Sequence, residues 1–144
     1  MTTKNGEPIS KALEEKLIAM AVKARANAYC PYSKYQVGAA VLTEDGTFYS
    51  GCNIENASFG LTVCAERTAM QKAVSEGARK LSALAVAAKS SKPCGACRQV
   101  MAEFMPSAAP VFLVNIADDE SVKIIRTTVG HLLPRAFNPS EAEL

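Results

Sequence analysis

Four residues in this chain have the types and spacing of a hydrolytic metal site: Cys64 and Glu66 in Cys64-Ala65-Glu66, then Cys94 and Cys97 in Pro93-Cys94-Gly95-Ala96-Cys97. A catalytic zinc commonly takes three protein ligands and keeps its fourth position for water, so Cys64, Cys94 and Cys97 complete the protein's share. Glu66, two residues from a ligand, is then close to the activated water, where a carboxylate serves as general base and afterwards as general acid. Cys-x-x-Cys alone also occurs in structural zinc knuckles and redox pairs. A structural site calls for a fourth ligand, which Cys30 or Cys52 offers, but it has no use for Glu66. A redox pair leaves both Cys64 and Glu66 unexplained.

The remaining composition narrows the setting. A chain of 144 residues, 49% hydrophobic, has the length of one globular domain with a real core, and a single domain over 1–144 is expected. Sixteen Lys and Arg against fourteen Asp and Glu leave a net charge of +2 with no basic run, which argues against a nucleic-acid partner. No stretch approaches the ~18 apolar residues of a membrane span, and Met1 to Glu7 contains no apolar signal segment, so a cytoplasmic protein without a membrane partner is expected. Five cysteines fit metal ligation and free thiols better than a disulfide framework, and Cys30 and Cys52 read as small buried hydrophobes.

The elements that must position the four residues follow from local pattern. Ser10 caps a helix whose Leu13, Leu17, Met20, Ala21 and Ala24 share one face, and Pro31 ends it at Cys30. Gln36 to Leu42 and Thr47 to Ile54 read as a hairpin around Glu44-Asp45-Gly46. Gly38-Ala39-Ala40 is small for a strand and admits another backbone or a ligand closely. Cys64 opens a helix stopped by Gly77, Leu81 to Ala88 is a central strand buried on both faces, and Cys94 opens a helix that ends before Pro106. Strands over 111–115 and 122–126 and a helical turn over 129–133 complete an α/β order. Asn53 and Glu55 fall on one face of the second strand, with Ile54 pointing into the core. The ligand cysteines thus open two helices, whose positive N-termini favour thiolates. Three thiolates on Zn²⁺ still leave a net negative charge, which Arg67 offsets by hydrogen bonding to the sulfurs.

The pairing of a first ligand plus glutamate with Pro-Cys-x-x-Cys is the signature of zinc nucleobase deaminases. Five segments together, Pro31-Tyr32-Ser33-Lys34-Tyr35-Gln36-Val37-Gly38-Ala39-Ala40, Asn53-Ile54-Glu55-Asn56-Ala57, Cys64-Ala65-Glu66-Arg67-Thr68-Ala69, Pro93-Cys94-Gly95-Ala96-Cys97-Arg98-Gln99 and Leu132-Leu133-Pro134-Arg135-Ala136-Phe137, resemble the small homotetrameric cytidine deaminases over roughly residues 12 to 138. The resemblance implies an α/β fold with a mixed five-stranded sheet between layers of helices. It also implies zinc on Cys64, Cys94 and Cys97, proton transfer by Glu66, and deamination of cytidine and deoxycytidine in pyrimidine salvage. Asn53 and Glu55 would hold the ribose through its 3′-hydroxyl, and the Ala65 backbone would meet the base. Phe137 would pack on the pyrimidine of a neighbouring subunit, so that the tetramer shares its active sites.

Two features depart from that family's usual pattern. Tyr35 stands where Phe is more usual beside the pyrimidine, placing a hydroxyl either near the sugar or toward water. The Lys89-Ser90-Ser91-Lys92 loop looks shorter than in many relatives. His131, the single histidine, reads as a surface or interface residue. A deaminase of a cytosine-containing antibiotic would share the zinc chemistry with other sugar contacts, and a structural zinc protein would share only the cysteines.

Overall fold

In the computed structural model, which describes residues 9–144, the chain alternates helices and strands around one sheet. The elements are α1 (Lys11–Ala24), β1 (Gly38–Thr43), β2 (Phe48–Cys52), α2 (Ala65–Ser75), β3 (Leu81–Ala88), α3 (Gly95–Phe104), β4 (Pro110–Ile116), β5 (Val122–Thr128) and α4 (Val129–Leu132). The strand order is β2-β1-β3-β4-β5, with β3 and β4 parallel and the other neighbours antiparallel. This is the expected mixed five-stranded sheet.

Its two faces divide the core by strand alternation. Ala40, Leu42, Ala83, Ala85, Phe112 and Val114 meet Leu17 and Ala21 of α1. Ala39, Val41, Leu84, Val86, Val111 and Leu113 meet Ala69, Met70 and Ala73 of α2 and Cys97 and Met101 of α3. A strand with neighbours on both edges and helices on both faces cannot reach solvent, and all eight residues of β3 are buried. Each fully buried Leu or Met in these layers contributes about 1.5–3 kcal/mol relative to exposure.

Local signals explain most element ends. Ser10 Oγ accepts from Leu13 N at 3.2 Å, and Gly77 takes φ +107° just past α2. Other ends differ from expectation. The first helix stops at Ala24 rather than Cys30 and passes into a 3-10 turn over Arg25–Asn27. Beyond it, Tyr29 pairs with the segment after β2: Tyr29 N donates to Asn53 O at 3.0 Å and Glu55 N to Tyr29 O at 2.8 Å. Those extended-chain bonds are incompatible with a helix running to Pro31. In the same exchange β2 ends at Cys52, and Ile54, bridged to Tyr29 and Val63, is 45% exposed instead of entering the core. Cys30 and Cys52 are half-buried, not fully buried.

Gly38 admits a backbone, as its small size suggested. A Cβ there would collide with Ala21 O and Arg25 N at the end of α1. The close neighbour is therefore the helix that covers the sheet.

Candidate zinc centre and its surroundings

The two helices that cover one face of the sheet begin side by side, and their first residues bring the sulfurs together. Cys64 and Cys94 are the N-cap residues of α2 and α3, and neither side chain makes a capping hydrogen bond. Their sulfurs are thereby free to turn toward each other. Cys64 Sγ lies 3.8 Å from Cys94 Sγ, which lies 3.6 Å from Cys97 Sγ, and all three sulfurs fall within 4.8 Å of one another. Ligands placed tetrahedrally at about 2.3 Å from a zinc stand roughly 3.8 Å apart, so this donor set fits the ion. Cys30 and Cys52 lie outside the cluster.

Charge around Cys64 favours its thiolate, whereas the hydrogen bond to Cys64 and burial push the Cys97 thiol up. Arg67 Nη2 donates to Cys64 Sγ at 3.4 Å. A hydrogen bond from the Cys97 thiol, together with Arg67, holds the Cys64 thiol well below the ordinary thiol range. Hydrogen bonds and charge from Cys64 and Cys97 push Arg67 further toward its cationic form. Glu66 is 4% exposed, and its burial, reinforced by the charge of Cys64, pushes its carboxyl up to about 6. A buried carboxyl of that kind, one residue into α2, both accepts and returns a proton near neutral pH. Ala65, fully buried, is the first residue of the same helix.

Beside the centre runs the segment expected to meet a sugar. Asn53 is 7% exposed; its Oδ1 accepts from Val37 N at 3.0 Å and its Nδ2 donates to Tyr35 O at 2.7 Å. Glu55 accepts from Tyr32 N at 3.0 Å, from Ser33 N at 3.1 Å and from the Ser33 hydroxyl. The Ser33 hydroxyl bond holds the Glu55 carboxyl below the usual carboxylate range. Both residues thus clamp the 32–37 segment. The Tyr35 hydroxyl is engaged by the loop that follows β3. It accepts from Ser90 N and donates to Ser90 O, each at 2.7 Å.

Phe137 lies apart, 67% exposed, on the segment following α4. His131 is exposed, its amide capped by Thr128 Oγ1 at 3.2 Å. Sequence reasoning passed over three supporting residues. Arg98 Nε donates to Pro93 O at 2.8 Å and its Nη1 to Leu132 O at 2.9 Å. Asn115 Oδ1 accepts from Ser91 N at 2.9 Å and Ser91 Oγ at 2.8 Å, and Ser33 orients Glu55. Arg98 and Ser33 lie inside motifs that carry the resemblance but have no role assigned there, whereas Asn115 carries no spacing signal.

With this geometry in place, comparison with known proteins decides the family. The family model for the cytidine and deoxycytidylate deaminase zinc-binding region matches residues 11–113. This chain belongs to the cytidine deaminase family. It is 56% identical to the cytidine deaminase of Sporosarcina psychrophila over 130 residues, covering 88% of this chain and 93% of that protein. It is 53% identical to the cytidine deaminase of Halalkalibacterium halodurans over 128 residues, covering 87% and 94%. The crystal structure of cytidine deaminase from Burkholderia pseudomallei superposes with a TM-score of 0.79 at 45% identity, covering 85% of this chain and 98% of that one. Membership accounts for the cysteine cluster as a zinc centre.

Proposed function

We propose that the protein catalyses hydrolytic deamination of cytidine and deoxycytidine to uridine and deoxyuridine, a reaction of pyrimidine salvage. The observation that carries this reading is the buried Glu66 on the first turn of α2, beside three sulfurs spaced for zinc.

Cys64, Cys94 and Cys97 hold the zinc. When bound, the ion supplies the Lewis acidity that makes a water nucleophilic near neutral pH. The chain's own groups do the rest. Glu66 takes one proton from the attacking water and delivers it to N3 of the pyrimidine as the oxygen bonds to C4. It then takes the second proton and delivers it to the amino group. The C4–N bond breaks, ammonia leaves, and C4 becomes a carbonyl. The Ala65 backbone meets the base, Asn53 and Glu55 hold the sugar, and the Tyr35 ring flanks the nucleoside. Arg67 keeps the thiolate charge from accumulating at the metal.

The whole chain, 1–144, acts as one domain within a homotetramer in the cytoplasm. Exposure of Phe137, Phe59 at 73% and Leu61 at 66% supports association, since large apolar side chains concentrated on one chain gain by burial against another. Phe137 then serves a neighbour's pyrimidine site. Among the described residues no helix is long and apolar enough to cross a membrane.

Zinc content combined with loss of absorbance from cytidine, deoxycytidine, cytosine and cytidine monophosphate tests the reading. Zinc-loaded protein should turn over the two nucleosides in preference to the base and the nucleotide. Zinc without turnover of any of them would leave a structural zinc protein, and preference for another cytosine compound would redirect the substrate assignment.

A further inference from the structure

Besides the exposed ion pair of Lys89 Nζ with Asp118 Oδ2 at 2.9 Å, three hydrogen-bonding side chains hold the loop that delivers the zinc ligands of α3, residues 89–93. Asn115 Oδ1 takes both the amide and the hydroxyl of Ser91. Arg98 Nε takes the carbonyl of Pro93. The third anchor is Tyr35, fifty-five residues upstream of Ser90, whose phenol closes a reciprocal pair of 2.7 Å bonds with the Ser90 backbone. Of the three, Tyr35 alone belongs to the segment that Asn53 and Glu55 clamp. Its carbonyl is held by Asn53 and its amide by Ser33 Oγ at 3.0 Å. One side chain therefore joins the sugar-facing segment to the loop that sets Cys94 and Cys97.

We propose that the Tyr35 hydroxyl is a positioning group that fixes the zinc-ligand loop against the nucleoside-binding segment, and that it makes no contact with the sugar. Its only hydrogen is committed to Ser90 O, so it has none to donate to a ribose hydroxyl. A phenylalanine at this position, with the same ring, leaves the Ser90 amide and carbonyl to solvent and the loop with its Asn115, Arg98 and Asp118 contacts. Groups that orient metal ligands from outside commonly change metal retention when removed. Here the connection passes through the loop backbone, and the loss of two ordinary hydrogen bonds should express itself as roughly fivefold to tenfold faster zinc release.

The inference rests on Cys94 and Cys97 as zinc ligands. Wild-type protein that purifies without zinc would defeat that assignment; zinc-loaded protein separates the two questions. The experiment compares wild type, Tyr35→Phe and Ser90→Ala as zinc-loaded proteins. It follows zinc transfer to an excess of a chromogenic chelator, amide hydrogen exchange across residues 88–94, and kcat/KM for cytidine and deoxycytidine. Tyr35→Phe should release zinc faster, exchange faster at Ser90, and lose kcat/KM by the same factor for both nucleosides. Ser90→Ala keeps both backbone groups and should release zinc at the wild-type rate. Unchanged zinc release in Tyr35→Phe overturns the inference, whatever happens to turnover. So does a loss of kcat/KM confined to cytidine, because it would place the hydroxyl on the 2′ position of the sugar.

Discussion

Gly51→Ala should damage the centre from behind, although Gly51 touches none of its ligands. Gly51 lies in β2 opposite Ala39, and α2 crosses directly over it. A Cβ on Gly51 would stand 2.7 Å from Ala69 N and 2.9 Å from both Thr68 Cβ and Cγ2. Ordinary contact begins near 3.4 Å, so α2 must withdraw by about 0.7 Å or β2 must buckle. Overpacking of this kind costs about 1–3 kcal/mol, less roughly 0.5–1 kcal/mol regained by replacing a strand glycine. For a chain of this length a net loss of about 1–2 kcal/mol lowers Tm by roughly 3–8 °C. Helices move as rigid units, and Ala69 is one turn from Ala65, so the withdrawal carries Glu66 and Cys64 with it. Cys94 and Cys97 stay with α3. A misplacement of about 1 Å in a catalytic constellation can cost ~10²-fold, so kcat should fall roughly tenfold to hundredfold. Thermal melts, zinc content and the absorbance assay measure all three effects, with Gly60→Ala, which meets nothing within 4 Å, as the neutral control. A Gly51→Ala protein within about 0.5 kcal/mol and twofold of wild type would refute the packing argument. Lost stability with unchanged kcat would show that the edge strand yields instead of the helix.

Three further outcomes are expected. Glu66→Gln should keep zinc and fold but lose about 10²–10⁴-fold in kcat, since the amide fills the space without accepting a proton; turnover within tenfold of wild type would remove Glu66 from proton transfer. Glu55→Gln should lower kcat/KM for both nucleosides roughly tenfold to hundredfold, because a charged acceptor for the sugar and for the 32–33 turn is lost together; an effect on cytidine alone would assign it to the 2′-hydroxyl. Co-refolding a Phe137→Ala chain with a Glu66→Gln chain should restore activity above either parent, and mixed oligomers without such recovery would confine Phe137 to its own chain.

How much of this was legible in the residues depends on the range of the cause. The zinc set was readable because ligand chemistry restricts residue type and because both cysteine segments open helices whose starts local pattern reveals. β3 was readable because continuous apolar character over eight residues follows from burial on both faces. Ile54 was misplaced for a reason no local pattern contains. Alternation continued past Cys52 points Ile54 inward, whereas pairing with Tyr29 and Val63 takes the chain out of the sheet and leaves Ile54 outward. The end of α1 was misplaced by the same long-range pairing. Gly38 advertised a close approach but not its partner, and Gly51 advertised nothing because an isolated strand glycine has many causes. Asn53 and Glu55 appeared as possible sugar ligands; their grip on the 32–37 backbone required the fold.

The charge balance at the centre follows from where the fold places each cysteine. Cys64 and Cys94 sit at the N-caps of helices of eleven and ten residues, where unpaired N–H groups and the helix dipole favour anionic sulfur. Neither sulfur is spent on capping, so that stabilisation is not traded against metal ligation. Arg67 occupies the first turn of α2 with its Nε buried and unpartnered, a state that costs free energy in a cation unless an anion compensates. The compensating anion is Cys64, which Nη2 reaches at 3.4 Å. Arg67 is therefore held where it is by thiolate charge. Its presence there argues for an anionic Cys64 sulfur at the head of α2.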